Sequence, residues 1–337
     1  MNNSQTSARR KKPCARLVLS EILAEKQTVA LGGHIRPDGD CVGSVMGLYL
    51  YLQEQYPELQ VDVYLENLAD RFLFIQDTDK IHSEIDDSKV YDLFICMDCG
   101  DKERLGFSTP LFESAKMTAC IDHHVSNEAF ADYNEIIPDA SSTSELVYRL
   151  IDKDKISLHC AEALYMGIAH DTGVFQYSCT APETMEAAAE LLRKGVNGSD
   201  IIDKTFYEKT YVQNQILGKA LLESMMVLDK KCIFSYVSKR DMEFFNAVPS
   251  DLEGIVSQLR YTTGIEVAIF MYETGYQEYK VSLRSKDAVD VSKIAKYFGG
   301  GGHVKAAGCT MKGTVHDVVN NLMKEIDIQL KGIGAKE

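Results

Sequence analysis

Four short clusters of acidic and histidine residues mark the first half of the chain: His34-Ile-Arg-Pro-Asp38-Gly-Asp40, Met97-Asp98-Cys99-Gly100-Asp101, Asp122-His123-His124 and His170-Asp171-Thr172-Gly173. Three of them directly follow short apolar runs, at 28–33, 91–97 and 117–121. Aspartate is almost never fully buried without a partner, so carboxylates set against strand ends are either solvated loop residues or members of a paired or metallated site. One such cluster is ordinary. Four of them, each beside a strand or helix end, point to a metal site built on a parallel sheet.

The surrounding pattern supports that layout. Residues 28–33 form a short apolar run and 42–56 have the apolar recurrence of a helix, giving strand, acidic loop, helix. Residues 61–65 alternate like a strand, while 91–97 and 117–121 are nearly continuous apolar runs, as strands buried on both faces are. In α/β folds ligands gather at the carboxyl ends of such strands. Ser141-Ser142-Thr143-Ser144-Glu145 reads as the cap of a helix through Leu150, and a second helical stretch at 160–169 delivers the fourth cluster. From about 191 to 223 the sequence turns polar and helical, then a second α/β pattern follows. It has strands at 232–237, 265–272 and 279–283, and a helix at 287–297 before the Gly299-Gly300-Gly301-Gly302-His303 loop. The expected fold class is α/β with two domains: a parallel-sheet metal-binding domain over 19–190, a helical linker over 191–225, and a smaller α/β substrate domain over 226–332, with a cleft between the domains. A disordered basic tail over 1–18, containing Arg9-Arg10-Lys11-Lys12, precedes them.

A chain of 337 residues accommodates two domains, and 45% apolar with 26% charged residues is ordinary for a globular protein. The formal net charge of −14 argues against long duplex nucleic acid, whose binding depends on Lys and Arg neutralising many phosphates. A small phosphorylated ligand held beside metal cations remains compatible with it. No run approaches the ~18 apolar residues of a membrane span, and the first residues are polar and basic, so the expected location is cytoplasmic, away from membranes. Nine scattered cysteines then read as reduced thiols, with Cys96 inside a strand pattern.

In an extended loop, residues two apart project the same way, so Asp38 and Asp40 can present carboxylates side by side while His34 approaches from the strand end. Asp98, on a different strand, is the best candidate to bridge two metals. His123 and His124 are consecutive and face opposite ways in extended backbone, so one can ligate metal while the other meets substrate; Asp171 could close the second metal's shell. Mixed imidazole and carboxylate ligation fits Mn²⁺, Zn²⁺, Co²⁺ or Fe²⁺ better than Ca²⁺. Two divalent ions about 3.5–4 Å apart activate water for phosphoester hydrolysis, the chemistry expected here.

His34-Ile-Arg-Pro-Asp38-Gly-Asp40-Cys-Val-Gly43-Ser44, with Asp98, Asp122-His123-His124 and Asp171, resembles the DHH phosphoesterase superfamily. Phe298-Gly-Gly-Gly-Gly302-His303-Val-Lys-Ala306-Ala307-Gly308 resembles the signature of its DHH-associated second domain. The whole is similar to the short two-domain branch that degrades very short oligonucleotides, including linear dinucleotides, and dephosphorylates 3′-phosphoadenosine 5′-phosphate. A cyclic di-AMP phosphodiesterase and a non-catalytic nucleotide sensor are the alternatives. The resemblance implies two divalent ions, Mn²⁺ first among them, one held by His34, Asp38 and Asp98 and the other by Asp40, Asp98, His123 and Asp171. It places His124 against the scissile phosphate and Asp122 behind it as an orienting group. Arg284, Ser285 and the glycine loop, Gly300, Gly301, Gly302 and His303, would bind substrate phosphate: Arg offers a bidentate fork, and glycines let backbone N–H groups approach an anion. The partners expected are short oligonucleotides and small phosphorylated nucleotides, with a homodimer left open. His170 reads as packed beside the site, and His82, His159 and His316 as surface or helix residues.

Overall fold

Five short strands, β1 (Thr28–Gly32), β2 (Gln60–Tyr64), β3 (Leu93–Met97), β4 (Thr118–Asp122) and β5 (Tyr133–Ile136), pair in parallel in the order β2-β1-β3-β4-β5. They belong to the first of two compact units, Met1–Glu208 and Lys209–Glu337, in a computed structural model that describes residues 17–86 and 88–334. The basic run at 9–12 lies outside the described residues. Every residue of β3 and β4 is buried, which is why their sequences read as unbroken apolar runs. Strand order reverses at β1 and β3, so the chains leaving their carboxyl ends diverge and open a crevice there.

The helices of this unit are α1 (Leu19–Leu23), α2 (Gly39–Gln55), α3 (Thr109–Ser114), α4 (Thr143–Leu150), α5 (Leu158–Asp171), α6 (Pro182–Arg193) and α7 (Gly198–Ile202), the last running into a π-helical turn, Asp203–Tyr207. Helix α2 is buried from Gly39 through Leu52, so it is a core helix rather than an amphipathic one. It passes α5 almost backbone to backbone. A Cβ on Gly43 would lie 2.6 Å from the Ala163 carbonyl oxygen and 2.8 Å from Gly167 Cα.

The second unit holds β6 (Met225–Val227), β7 (Cys232–Val237), β8 (Val267–Gly275), β9 (Glu278–Ser285), β10 (Gly301–His303) and β11 (Ala306–Lys312) in one sheet, ordered β10-β11-β9-β8-β7-β6. Only β7 and β8 run parallel within it. Its helices are α8 (Tyr211–Leu222), α9 (Lys239–Phe245), α10 (Ile255–Arg260), α11 (Val291–Tyr297) and α12 (Val315–Gly334).

Three local differences from the sequence expectation have physical causes. Helix α2 starts at Gly39, not at 42, because the Asp38 carboxylate caps it by accepting from the N–H groups of Asp40 and Cys41, both at 3.1 Å. The glycine run is not wholly a loop: Gly301–His303 form an edge strand on β11, with Gly302 opposite Ala307. Gly302 has φ +140°, and a Cβ there would sit 2.5 Å from the Ala306 carbonyl oxygen, so only glycine fits. The segment at 191–225 divides, α6 and α7 lying in the first unit and α8 in the second. Among the described residues, no helix is long and apolar enough to cross a membrane.

Candidate metal centre

Each strand end at the crevice delivers one part of the site. Gly32 ends β1 two residues before His34, Met97 ends β3 one residue before Asp98, and Asp122 is itself the last residue of β4. Asp98 takes φ +55°, a left-handed turn immediately after the strand, and is buried. That turn lets its two oxygens serve different neighbours. Oδ2 faces His34 Nε2 at 3.3 Å, while Oδ1 faces His123 Nε2 at 3.6 Å, His124 Nδ1 at 3.7 Å and the Thr143 hydroxyl, which donates to it at 3.1 Å.

Asp40 is fully buried. The site's shape depends on how that charge is held: Thr143 N–H donates to Oδ2 at 2.6 Å and Ser144 N–H to Oδ1 at 2.8 Å, so the first turn of α4 grips both oxygens with its free amides. Asp38 instead lies exposed at the start of α2, 3.6 Å from His34 Nε2. The two carboxylates are therefore not side by side as extended backbone would place them. One caps the helix and meets His34, the other turns inward and lies 4.0 Å from His123 Nε2.

Both histidines that face this acidic cluster are fixed in the same way. Carbonyl oxygens only accept, so His34 Nδ1 donates to Ile35 O at 2.8 Å and His123 Nδ1 to Ala140 O at 3.4 Å, aiming each Nε2 inward. His123 Nε2 also lies 3.0 Å from Asp171 Oδ2 at the end of α5. His124 is turned differently: its Nδ1 donates to Asp122 Oδ1 at 2.7 Å, although its ring still meets that of His123 edge to face at 5.1 Å. Asn127 donates to Asp122 Oδ2 at 2.7 Å and to Cys99 O at 2.9 Å, tying the histidine loop to the backbone just after Asp98.

The electrostatics follow from this crowding. Burial alone would lower the pKa of His34, but hydrogen bonds to Asp38 and Asp98 outweigh it and raise it to about 10. Burial would likewise lower that of His123, but Asp171, Asp40 and Asp98 raise it to about 10. Asp40 moves well above the usual carboxylate range, through burial first and then the charges of Asp98 and Asp171. His124 is raised by its hydrogen bond to Asp122. His170 goes the other way, to about 4, through burial and then the nearby Arg71 charge.

The donor set fits a divalent cation. Among the described residues, three groups of side chains bring ligand atoms within 4.8 Å of one another: His34, Cys41 and Asp98; Asp98, His123 and His124; and Asp40, His123 and Asp171. Asp98 and His123 are each shared by two groups, which makes the groups one continuous centre. Cys41 is a poor donor for a hard ion, since burial pushes its thiol well above the ordinary range. Imidazole and carboxylate remain, a set suited to ions such as Mn²⁺, Zn²⁺ or Fe²⁺.

A linked titration checks this arrangement. With both pKa values raised to about 10, His34 and His123 hold a proton on Nε2 at neutral pH, and a cation bound at those nitrogens would have to expel both protons. Metal affinity is expected to fall as pH falls from 9 to 6, with about two protons released per site at pH 7. Calorimetric titration with Mn²⁺ in buffers of different ionisation enthalpy measures that number, and zero release would contradict the geometry.

The family of phosphoesterases matched by this chain is read from two separate regions. Residues 28–168 match the DHH family, N-terminal domain, and residues 229–332 match the DHHA1 domain, together well over half of the chain. The chain belongs to the DHH family. Proteins similar to this DHH chain include the bifunctional oligoribonuclease and PAP phosphatase NrnA of Bacillus subtilis, 28% identical over 84% of this chain and 89% of the relative. The protein of the same name from Thermus thermophilus is 28% identical over 88% of each. Among solved structures, an exopolyphosphatase-related protein from Bacteroides fragilis superposes with a TM-score of 0.84 at 27% identity, covering 91% of this chain and 94% of that one.

The first unit thus brings together His34, Asp38, Asp40, Asp98, Asp122, His123, His124 and Asp171. In the second unit Arg284 lies on β9 opposite Ala306 of β11, donating from one guanidinium nitrogen to Leu283 O at 3.0 Å. Ser285 is buried, its hydroxyl donating to Val304 O at 3.3 Å, so it braces the turn between β10 and β11. Gly301, Gly302 and His303 are exposed on β10, and Gly300 precedes them. Sequence reasoning missed Asn127 and the amides of Thr143 and Ser144. The signal for the latter was present in the serine-rich cap at 141–145, whose free N–H groups could have been assigned an anion.

Proposed function

We propose that this chain hydrolyses phosphoester bonds in short oligonucleotides, in linear dinucleotides such as pApA and in 3′-phosphoadenosine 5′-phosphate. Supporting this reading most directly is Asp98, whose two oxygens face two inward-aimed imidazole nitrogens, His34 Nε2 and His123 Nε2. The names of the relatives at 28% identity agree with it. Two divalent ions, Mn²⁺ first, would be held by His34, Asp38 and Asp98 and by Asp40, Asp98, His123 and Asp171. When bound, such a pair makes a water nucleophilic at neutral pH and neutralises charge growing on the phosphoryl group.

The chain's own groups do the rest. His124 has its Nδ1 proton committed to Asp122, so Nε2 is the atom turned to substrate. Asp122 raises the pKa of His124 through their hydrogen bond, which favours the doubly protonated ring, the form that can donate from Nε2 to the departing oxygen. Asn127 fixes the carboxylate that holds His124. Arg284, Gly300, Gly301, Gly302 and His303 would receive a substrate phosphate, Arg284 through its guanidinium and the glycines through exposed backbone, with Ser285 bracing the turn beside them.

Product analysis tests the proposal: a 5′-phosphorylated RNA dinucleotide, 3′-phosphoadenosine 5′-phosphate, linear and cyclic di-AMP and pyrophosphate are incubated with and without Mn²⁺. Metal-dependent release of mononucleotides from the dinucleotide is the expected result. Binding without turnover across several metals would mean a sensor, and turnover confined to cyclic di-AMP would mean a cyclic-dinucleotide phosphodiesterase.

A further inference from the structure

Beside the metal centre the first unit carries an aromatic cluster with no part in holding metal. His170 packs directly against the loop that bears Asp38 and Asp40, since a Cβ on Gly39 would fall 2.2 Å from His170 Cγ. Its ring meets Phe72 edge-on at 5.4 Å and Phe206 at 5.7 Å, and Phe206 in turn meets Tyr207 at 5.3 Å. Ring by ring, this path runs from the acidic loop to the surface, where Phe206 is 36% and Tyr207 52% exposed. Arg71 lies over the Phe72 ring at 5.0 Å, and among the described residues it makes no ion pair.

The exposed rings are held firmly. They sit on the π-helical turn Asp203–Tyr207, closed by Glu208 N–H donating to Asp203 O at 2.7 Å, a geometry that recurs at functional sites. Buried Thr205 in this turn gives its hydroxyl proton to Ile201 O at 2.8 Å, so His170 Nε2 is the donor in its 2.8 Å bond to Thr205 Oγ1. One residue further along, Asp171 faces His123. The turn is therefore anchored to the helix end that completes the metal centre.

We propose that Phe206 and Tyr207, with Arg71, form a nucleobase subsite beside the metal centre, on which a base of the nucleotide being hydrolysed stacks. This rests on the phosphoesterase reading above and adds the base-recognising residues to it. Stacking tolerates any base because every base has a π-face, as suits an enzyme of short oligonucleotides. In a chain of net charge −14, the Arg71 guanidinium over the Phe72 ring is a local attractor for the adjoining phosphate.

The test compares the metal-loaded full chain on a 5′-phosphorylated diadenylate and on the same dinucleotide with either base replaced by an abasic ribose. Tyr207→Ala and Phe206→Leu are each expected to raise KM for diadenylate about 10-fold, with a much smaller change in kcat and a smaller penalty on one of the abasic forms. Tyr207→Phe, which keeps the ring, should restore KM. A dinucleotide carrying 2-aminopurine provides a readout independent of turnover: its fluorescence is quenched on binding the parent chain and recovers in the double variant. Equal losses on intact and abasic substrates, or KM and quenching left as in the parent, would overturn the subsite. If the parent chain turns over no nucleotide, the phosphoesterase reading fails, while the quenching comparison still decides whether a base stacks here.

Discussion

Replacing Asp98 with Asn is expected to lower kcat/KM on a dinucleotide by about 10³-fold or more while leaving the fold in place. Asn is the appropriate probe because it tolerates the left-handed backbone at φ +55° that Asp98 occupies, so the result reports the lost charge and not a rebuilt turn. Among the described residues the carboxylate is the one side chain that faces both inward histidine nitrogens, and an amide would neither bridge two cations nor balance them. The contrast is Arg284→Ala in the second unit, which should chiefly raise KM, since the role proposed for its guanidinium is to hold substrate phosphate and the change leaves the candidate metal ligands alone. Steady-state kinetics on the two variants, with circular dichroism as the fold control, separate these effects. Equal and modest losses from both would contradict the bridging role.

The second large effect is structural. Gly43→Ala should destabilise the protein by about 3 kcal/mol, near the upper end for overpacking, because the added methyl meets backbone and not a movable side chain. Its nearest neighbours would be the Ala163 carbonyl oxygen at 2.6 Å and Gly167 Cα and N at 2.8 Å. Relief requires α2 and α5 to separate, and those helices carry Asp40 and Asp171. Activity should therefore fall together with stability. Urea denaturation gives the stability difference, and Gly218→Ala, at a helix position with open space around it, is the control.

What the sequence revealed well was the placing of acidic groups at the ends of buried strands. A run such as 91–97 reads as an interior strand, and a carboxylate immediately after it must be accounted for, so Asp98 and Asp122 were recognisable as candidates for the cluster that the structure brings together. Helix starts were harder. Nothing in the periodicity at 42–56 shows that Asp38 caps at Gly39, and that single turn decides whether Asp38 and Asp40 lie together or apart. β5 escaped notice because Tyr133-Asn-Glu-Ile has too much polarity for a strand, and its burial comes from its place beside β4. β11 escaped because Ala306-Ala307-Gly308 has little strand propensity of its own; pairing along β9 supplies what local preference does not. The partners of Asp40 are a hundred residues away in sequence, and no local pattern could announce them.

The grip of Thr143 and Ser144 on Asp40 is made wholly of protein atoms. Folding, not an ion, therefore decides where this carboxylate points. The site is a mould and not a clasp: a cation would enter a shape already cut, and one would replace another without the chain being rewound. A mould of imidazole and carboxylate admits several divalent ions, so the surrounding supply has as much say in which one works there as the protein does.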